Sequence, residues 1–110
     1  MKIPLKLSPH QLGVLVHSFN ALAQMPAKDR EVKVARSILD KVVVKLKKKY
    51  VEIDWNQTLF SQKKKTNLTL EFYEAHYLEQ FVTIIDAFPM SEYDRNVIRY
   101  IRSNLNQKLA

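Results

Sequence analysis

The sequence predicts a mainly α fold: four helices from an arm–helix–helix unit that occurs twice, the copies related by pseudo-two-fold symmetry. Three observations lead there. Sliding residues 65–110 over residues 2–47 at an offset of 63, without gaps, gives ten identities in 46 pairs, against about three expected from ordinary residue frequencies. They are Lys2/Lys65, Leu5/Leu68, Leu7/Leu70, Leu15/Leu78, Pro26/Pro89, Val34/Val97, Arg36/Arg99, Ile38/Ile101, Lys45/Lys108 and Leu46/Leu109. Apolar stripes at helical spacing recur in the same pairs, and prolines with acidic residues after them punctuate both halves alike.

With 110 residues, 46% of them hydrophobic, the chain has the size of one domain. It divides into a first copy (2–47), an insert (48–64) and a second copy (65–110). A unit of about 45 residues is too small to bury its apolar faces alone, so the two copies are expected to share an interior.

The first element is an extended arm, Ile3 to Leu7, in which apolar and polar residues alternate; Thr66 to Leu70 repeats it. The arms can pair as a short two-stranded antiparallel ribbon or serve as extended helix entrances with no sheet, since an isolated ribbon is marginal unless helices cover it. Ser8, Pro9 and Gln11 read as an N-cap, a first-turn proline and the start of a capping box. Leu7 and Leu12 are spaced as a hydrophobic staple, so the first helix starts at Pro9. Its stripe of Leu12, Leu15, Phe19 and Leu22 is matched in the third helix by Ala75, Leu78, Val82 and Ile85. A second stripe, Val14, Ala21 and Met25, maps onto Tyr77, Ile84 and Phe88, which makes the third helix apolar on two sides and central.

Pro26 and Pro89 end these helices. Lys28 stands at the cap position of the second helix and Ser91 at that of the fourth, with Asp29, Glu31, Glu92 and Asp94 placed to favour the helix N-termini. Val34, Ala35, Ile38, Val42 and Leu46 then map onto Val97, Ile98, Ile101, Leu105 and Leu109. At the third helix Glu71 replaces the serine cap, leaving that boundary open by a few residues. The insert has no counterpart: Val51, Ile53 and Trp55 alternate as a strand would, although the second helix is expected to run through Tyr50. Gly13 is the only glycine and lies inside a predicted helix, at a cost of about 1 kcal/mol relative to alanine. Close approach by a neighbouring element would account for it.

Eighteen Lys plus Arg against eleven Asp plus Glu give a net charge of +7. The excess lies in the first half, where residues 1–49 carry eleven bases and three acids and residues 50–110 carry seven bases and eight acids. Such a charge suits anionic partners and also favours solubility. Cysteine is absent, which excludes disulfides, thiolate catalysis and cysteine-based metal sites. The N-terminus lacks the apolar core of a signal peptide and no run is long enough to span a bilayer, so a cytoplasmic location without membrane attachment is expected. One glycine excludes glycine-rich phosphate loops and dinucleotide fingerprints, and no nucleophile-elbow motif occurs. No cofactor is implied.

Two lysine triplets, Lys47, Lys48, Lys49 and Lys63, Lys64, Lys65, flank the insert, with Tyr50, Trp55 and Phe60 between them. If the insert doubles back, they make a positive patch with aromatics for stacking, a footprint for nucleic-acid phosphates. The competing reading is a solvated helix end with Trp55 plugging the core. Arg95, Arg99 and Arg102 share one face of the fourth helix, to contact external anions or to pair with Glu71, Glu74, Glu79 and Asp86 of the third. His10, His17 and His76 reproduce no metal-binding motif, so no metal site is assigned. Tyr73, His76 and Glu79 share a face, but without a pocket they read as polar surface.

The function expected is that of a non-catalytic protein-interaction or assembly module, with a protein partner or a second copy. The alternative is a nucleic-acid-binding accessory protein that uses the basic patch around the insert.

Overall fold

The two arms pair. β1 (Lys2–Leu7) and β2 (Thr66–Glu71) form an antiparallel ribbon in the computed structural model, which describes residues 2–24, 29–55 and 66–110. Ile3 faces Leu70, Leu5 faces Leu68 and Leu7 faces Thr66. Ile3, Leu5, Leu7, Leu68 and Leu70 all point into the core, and Lys2, Pro4 and Lys6 point out with Asn67 and Thr69. Burial of the inner face under the helices gives a two-stranded ribbon the support that it lacks in isolation.

Among the described residues the rest is mainly helical: α1 (Pro9–Ser18), a 3₁₀ segment (Phe19–Gln24), α2 (Arg30–Trp55), α3 (Phe72–Ile85) and α4 (Glu92–Leu109). The capping box at α1 is complete. Ser8 Oγ accepts from the Gln11 N–H at 3.2 Å, and Gln11 Oε1 accepts from the Ser8 N–H at 2.9 Å. After Ser18 the helix tightens, and the Ser18 hydroxyl donates to the Leu15 carbonyl at 2.6 Å, competing with the backbone ladder.

α2 differs from expectation at both ends. Lys28 lies outside the described residues, and the cap is Asp29, whose Oδ1 accepts from the Val32 N–H at 2.9 Å. At the other end the strand-like alternation of Val51, Ile53 and Trp55 is overridden, and the helix runs on to Trp55. Burial of Val42 and Leu46 anchors the β-branched stretch, and tertiary packing of this kind outweighs local propensity. Residues 48–55 of the expected insert therefore belong to α2.

α3 starts at Phe72, with Glu74 Oε1 accepting from the Glu71 N–H at 2.8 Å, and α4 follows Ser91, whose Oγ accepts from the Asp94 N–H at 3.2 Å. α3 buries Ala75, Leu78, Phe81, Val82 and Ile85 and packs against α4, α2 and both strands. Its central position agrees with its two apolar sides, with one departure: Ile84 is exposed. α1 packs against α2 and α4, and the Phe19 and Phe81 rings stack with centroids 4.5 Å apart. Gly13 faces the Tyr50 ring, and a Cβ there would lie 3.3 Å from both Tyr50 Cε1 and Oη. The close approach is thus made by a side chain of α2. Among the described residues no helix is long and apolar enough to cross a membrane.

Candidate functional site

α2 commits Leu39, Val42 and Leu46 to the core, which divides its lysines among the remaining faces. Lys45, Lys48, Lys49 and Glu52 line a shallow groove against Asn67, Leu68 and Thr69 of β2. Lys45 also donates to Glu74 at 2.8 Å. Glu74, at 2% exposure, is the one buried charged residue among those described, and it accepts from both Lys45 and the Glu71 backbone. Lys47 is exposed and stands outside that groove. Lys63, Lys64 and Lys65 lie outside the described residues, and Trp55 closes α2. Of the expected lysine patch, the structure therefore groups Lys48 and Lys49, and it adds Lys45, which the triplet pattern missed.

Arg95, Arg99 and Arg102 do share a face of α4, and they converge on one carboxylate. Asp86 lies 3.6 Å from Arg95, 3.1 Å from Arg99 and 3.6 Å from Arg102, with its side chain 17% exposed. Arg95 also donates to the Asp86 carbonyl and, at 3.2 Å, to the Phe88 carbonyl, satisfying groups beyond the last turn of α3. Of the four acids expected to share this task, Glu74 serves Lys45, and Glu79 accepts from Asn106 at 3.5 Å.

Two open grooves flank the helices. The first, of about 580 Å³, runs between α1 and α4 and includes His10, Gly13, His17, Tyr50, Phe88 and Asp94. The second, of about 510 Å³, runs between the N-terminal half of α2 and α3. Residues 63 apart occupy both: Val14 and Tyr77, Ala21 and Ile84, Ile98 and Ala35, Asp94 and Glu31. The histidines are divided, with His10 and His17 in the first groove and His76 in the second, and no group of His, Asp or Glu among the described residues converges as metal ligands. His10 meets the Tyr93 ring edge-on at 4.8 Å, and His76 contacts Gln80 at 3.2 Å.

The second groove is the more apolar at its mouth. Val32, Val34 and Ile84 are 40%, 46% and 52% exposed, whereas Val97, 63 residues after Val34, is 7% exposed. Arg30, Glu31 and Arg36 are the charged residues of its lining. The sequence signal for this surface was available in the pairing of Val32 with Arg95, an apolar residue where the other half carries a polar one. Val34 and Ile84 belong to the stripes shared by both halves, so Val32 is the residue that distinguishes this surface. The chain matches no protein-family profile, no curated protein and no solved structure.

Proposed function

We propose that the chain is a non-catalytic assembly module that pairs with a second copy of itself through the α2–α3 groove, on a scaffold made by duplication of an arm–helix–helix unit with pseudo-two-fold symmetry. Three relationships support the scaffold. Exchanging each residue for the one 63 away leaves the ribbon register unchanged, because Leu5 faces Leu68 and the pairs Ile3–Leu70 and Leu7–Thr66 exchange with each other. Gln11 and Glu74, also 63 apart, each bond the backbone N–H of the residue that caps their helix. α1 packs on α4 as α3 packs on α2.

The observation that carries the functional reading is the mouth of the second groove, where Val32, Val34 and Ile84 gather beside Tyr77 and Phe81 with both signs of charge in the lining. A two-fold contact needs a self-complementary patch, in which residue i of one copy meets residue j of the other and the reverse. Arg30 beside Glu31 supplies this, since a two-fold axis passing between them would set the carboxylate of each copy against the guanidinium of the other. The net charge of +7 does not forbid the pairing. Lys48 lies about 21 Å along α2 from Val34 at 1.5 Å per residue, beyond the screening length of about 8 Å at physiological salt.

Sedimentation equilibrium over a wide range of protein concentration tests this. The unmodified chain is expected to form a reversible dimer, and Val34→Glu or Ile84→Glu to weaken it at least tenfold, equivalent to about 1.4 kcal/mol. A strict monomer at every concentration would overturn the assembly reading, and a dimer indifferent to both substitutions would exclude this groove as its contact.

A further inference from the structure

We infer that the outer face of the β1–β2 ribbon, with the adjoining lysines of α2, is a docking platform for the phosphate backbone of double-stranded nucleic acid. The fold assembles this face from segments far apart in sequence. Lys2 and Lys6 project outward from β1, and Lys6 stands opposite Asn67. Asn67 and Thr69 project outward from β2 and share a groove with Lys45, Lys48 and Lys49. At the β1 edge Lys108 of α4 donates to the Pro4 carbonyl, so a sixth ammonium borders the face.

The acids nearby leave this charge largely uncompensated. Glu74 is buried and committed to Lys45 and a backbone N–H. Glu71 stands 3.9 Å from Lys2 and Glu52 3.9 Å from Lys49, both long contacts between exposed groups. With Lys45 paired to Glu74, five lysines against the carboxylates of Glu71 and Glu52 leave a positive face with two neutral hydrogen-bonding side chains, Asn67 and Thr69, at its centre. Phosphate oxygens accept from both kinds of group.

The choice among anionic partners follows from what the face presents. The ribbon's outward residues are polar except Pro4, and among the described residues the groove between ribbon and α2 has no aromatic ring in its lining to stack on unpaired bases. Val44 and Val51 are exposed on α2 within a turn of Lys48, without the Trp, Phe or Leu that interfacial anchoring uses. What remains is contact with a regular array of phosphates. A six-residue strand spans about 20 Å, and a duplex presents about twelve backbone charges over that length of axis. The contact is sequence-independent, because the lysines that carry it meet phosphates, which hold no sequence information.

Fluorescence anisotropy with a labelled duplex of arbitrary sequence, titrated at several salt concentrations, tests the platform on the whole chain. Lys6→Gln/Lys48→Gln is compared with Lys33→Gln/Lys47→Gln, a control that removes the same charge from exposed lysines elsewhere on α2. Lys45 is spared because it neutralises Glu74. The unmodified chain is expected to bind at low salt. The ribbon variant should lose about tenfold in affinity and lower the slope of log affinity against log salt by about 2, near 0.9 for each phosphate contact removed, while the control changes both far less. Absence of binding at low salt, equal losses in the two variants, or binding to anionic phospholipid vesicles in preference to the duplex would overturn the proposal. None of these readouts depends on whether the chain pairs with itself.

Discussion

Lys45 places its ammonium 2.8 Å from the carboxylate of Glu74, a residue 2% exposed at the start of α3, and so joins α2 to the end of β2 and the cap of the next helix. Lys108, its identical partner 63 residues on, makes a different bond, to the Pro4 carbonyl. The residue 63 before Glu74 is Gln11, which caps α1 without a charge for Lys108 to meet. Two lysines 63 residues apart thus bond differently, one in an ion pair and the other to a backbone carbonyl.

Removing one member of that pair should be felt differently from removing the other's charge. Lys45→Ala leaves a buried carboxylate without its counter-ion, and since the lysine is half exposed and water can replace part of the contact, a loss of about 1 to 2 kcal/mol is expected. Glu74→Gln keeps an oxygen for the Glu71 N–H and should lose less than Lys45→Ala. Urea unfolding of both variants measures the order, and the reverse order would mean that the pair contributes nothing beyond the cap.

Gly13 and Tyr50 set up a second test. Alanine in place of a helical glycine gains about 1 kcal/mol from propensity, but its Cβ would press on the Tyr50 ring at 3.3 Å. Gly13→Ala alone should therefore leave stability within about 0.5 kcal/mol of the unmodified chain, and in a Tyr50→Ala background the same change should gain about 1 kcal/mol. Additive effects in the double-mutant cycle would show that the ring moves aside freely.

Three arginines on Asp86 are not equal. Arg95 is the least exposed of them and alone donates to the carbonyls of Asp86 and Phe88. Arg95→Ala should cost about 1.5 kcal/mol or more by leaving carbonyls at the end of α3 without a donor, whereas Arg99→Ala and Arg102→Ala, being more exposed, should each cost less than about 0.5 kcal/mol. Thermal or urea unfolding of the three single variants decides it, and equal costs would move the weight from the carbonyls to the carboxylate.

The chain's own pattern determined the four helices, the caps at Ser8 and Ser91 and the inward face of each arm. Those features depend on residues within a turn or two of each other: Ser8 with Gln11, Ser91 with Asp94, Ile3 with Leu5 and Leu7. Such local relations can be read directly from spacing. The inner stripes of Leu12, Leu15, Leu78 and Val82 were legible for the same reason, and all four are buried.

What only the tertiary structure decided were outcomes set by competition between distant groups. Val51, Ile53 and Trp55 suit a strand, but they extend a helix already anchored by Val42 and Leu46. The acidic partner of the arginines was open among four residues until the end of α3 brought Asp86 within reach of all three. Likewise Lys6 and Lys48, 42 positions apart, become neighbours of one polar ribbon face only because β2 lies between β1 and α2. Spacing along a chain encodes which face a residue takes, while the identity of its neighbour from another element is set by how the apolar surfaces close over one shared core.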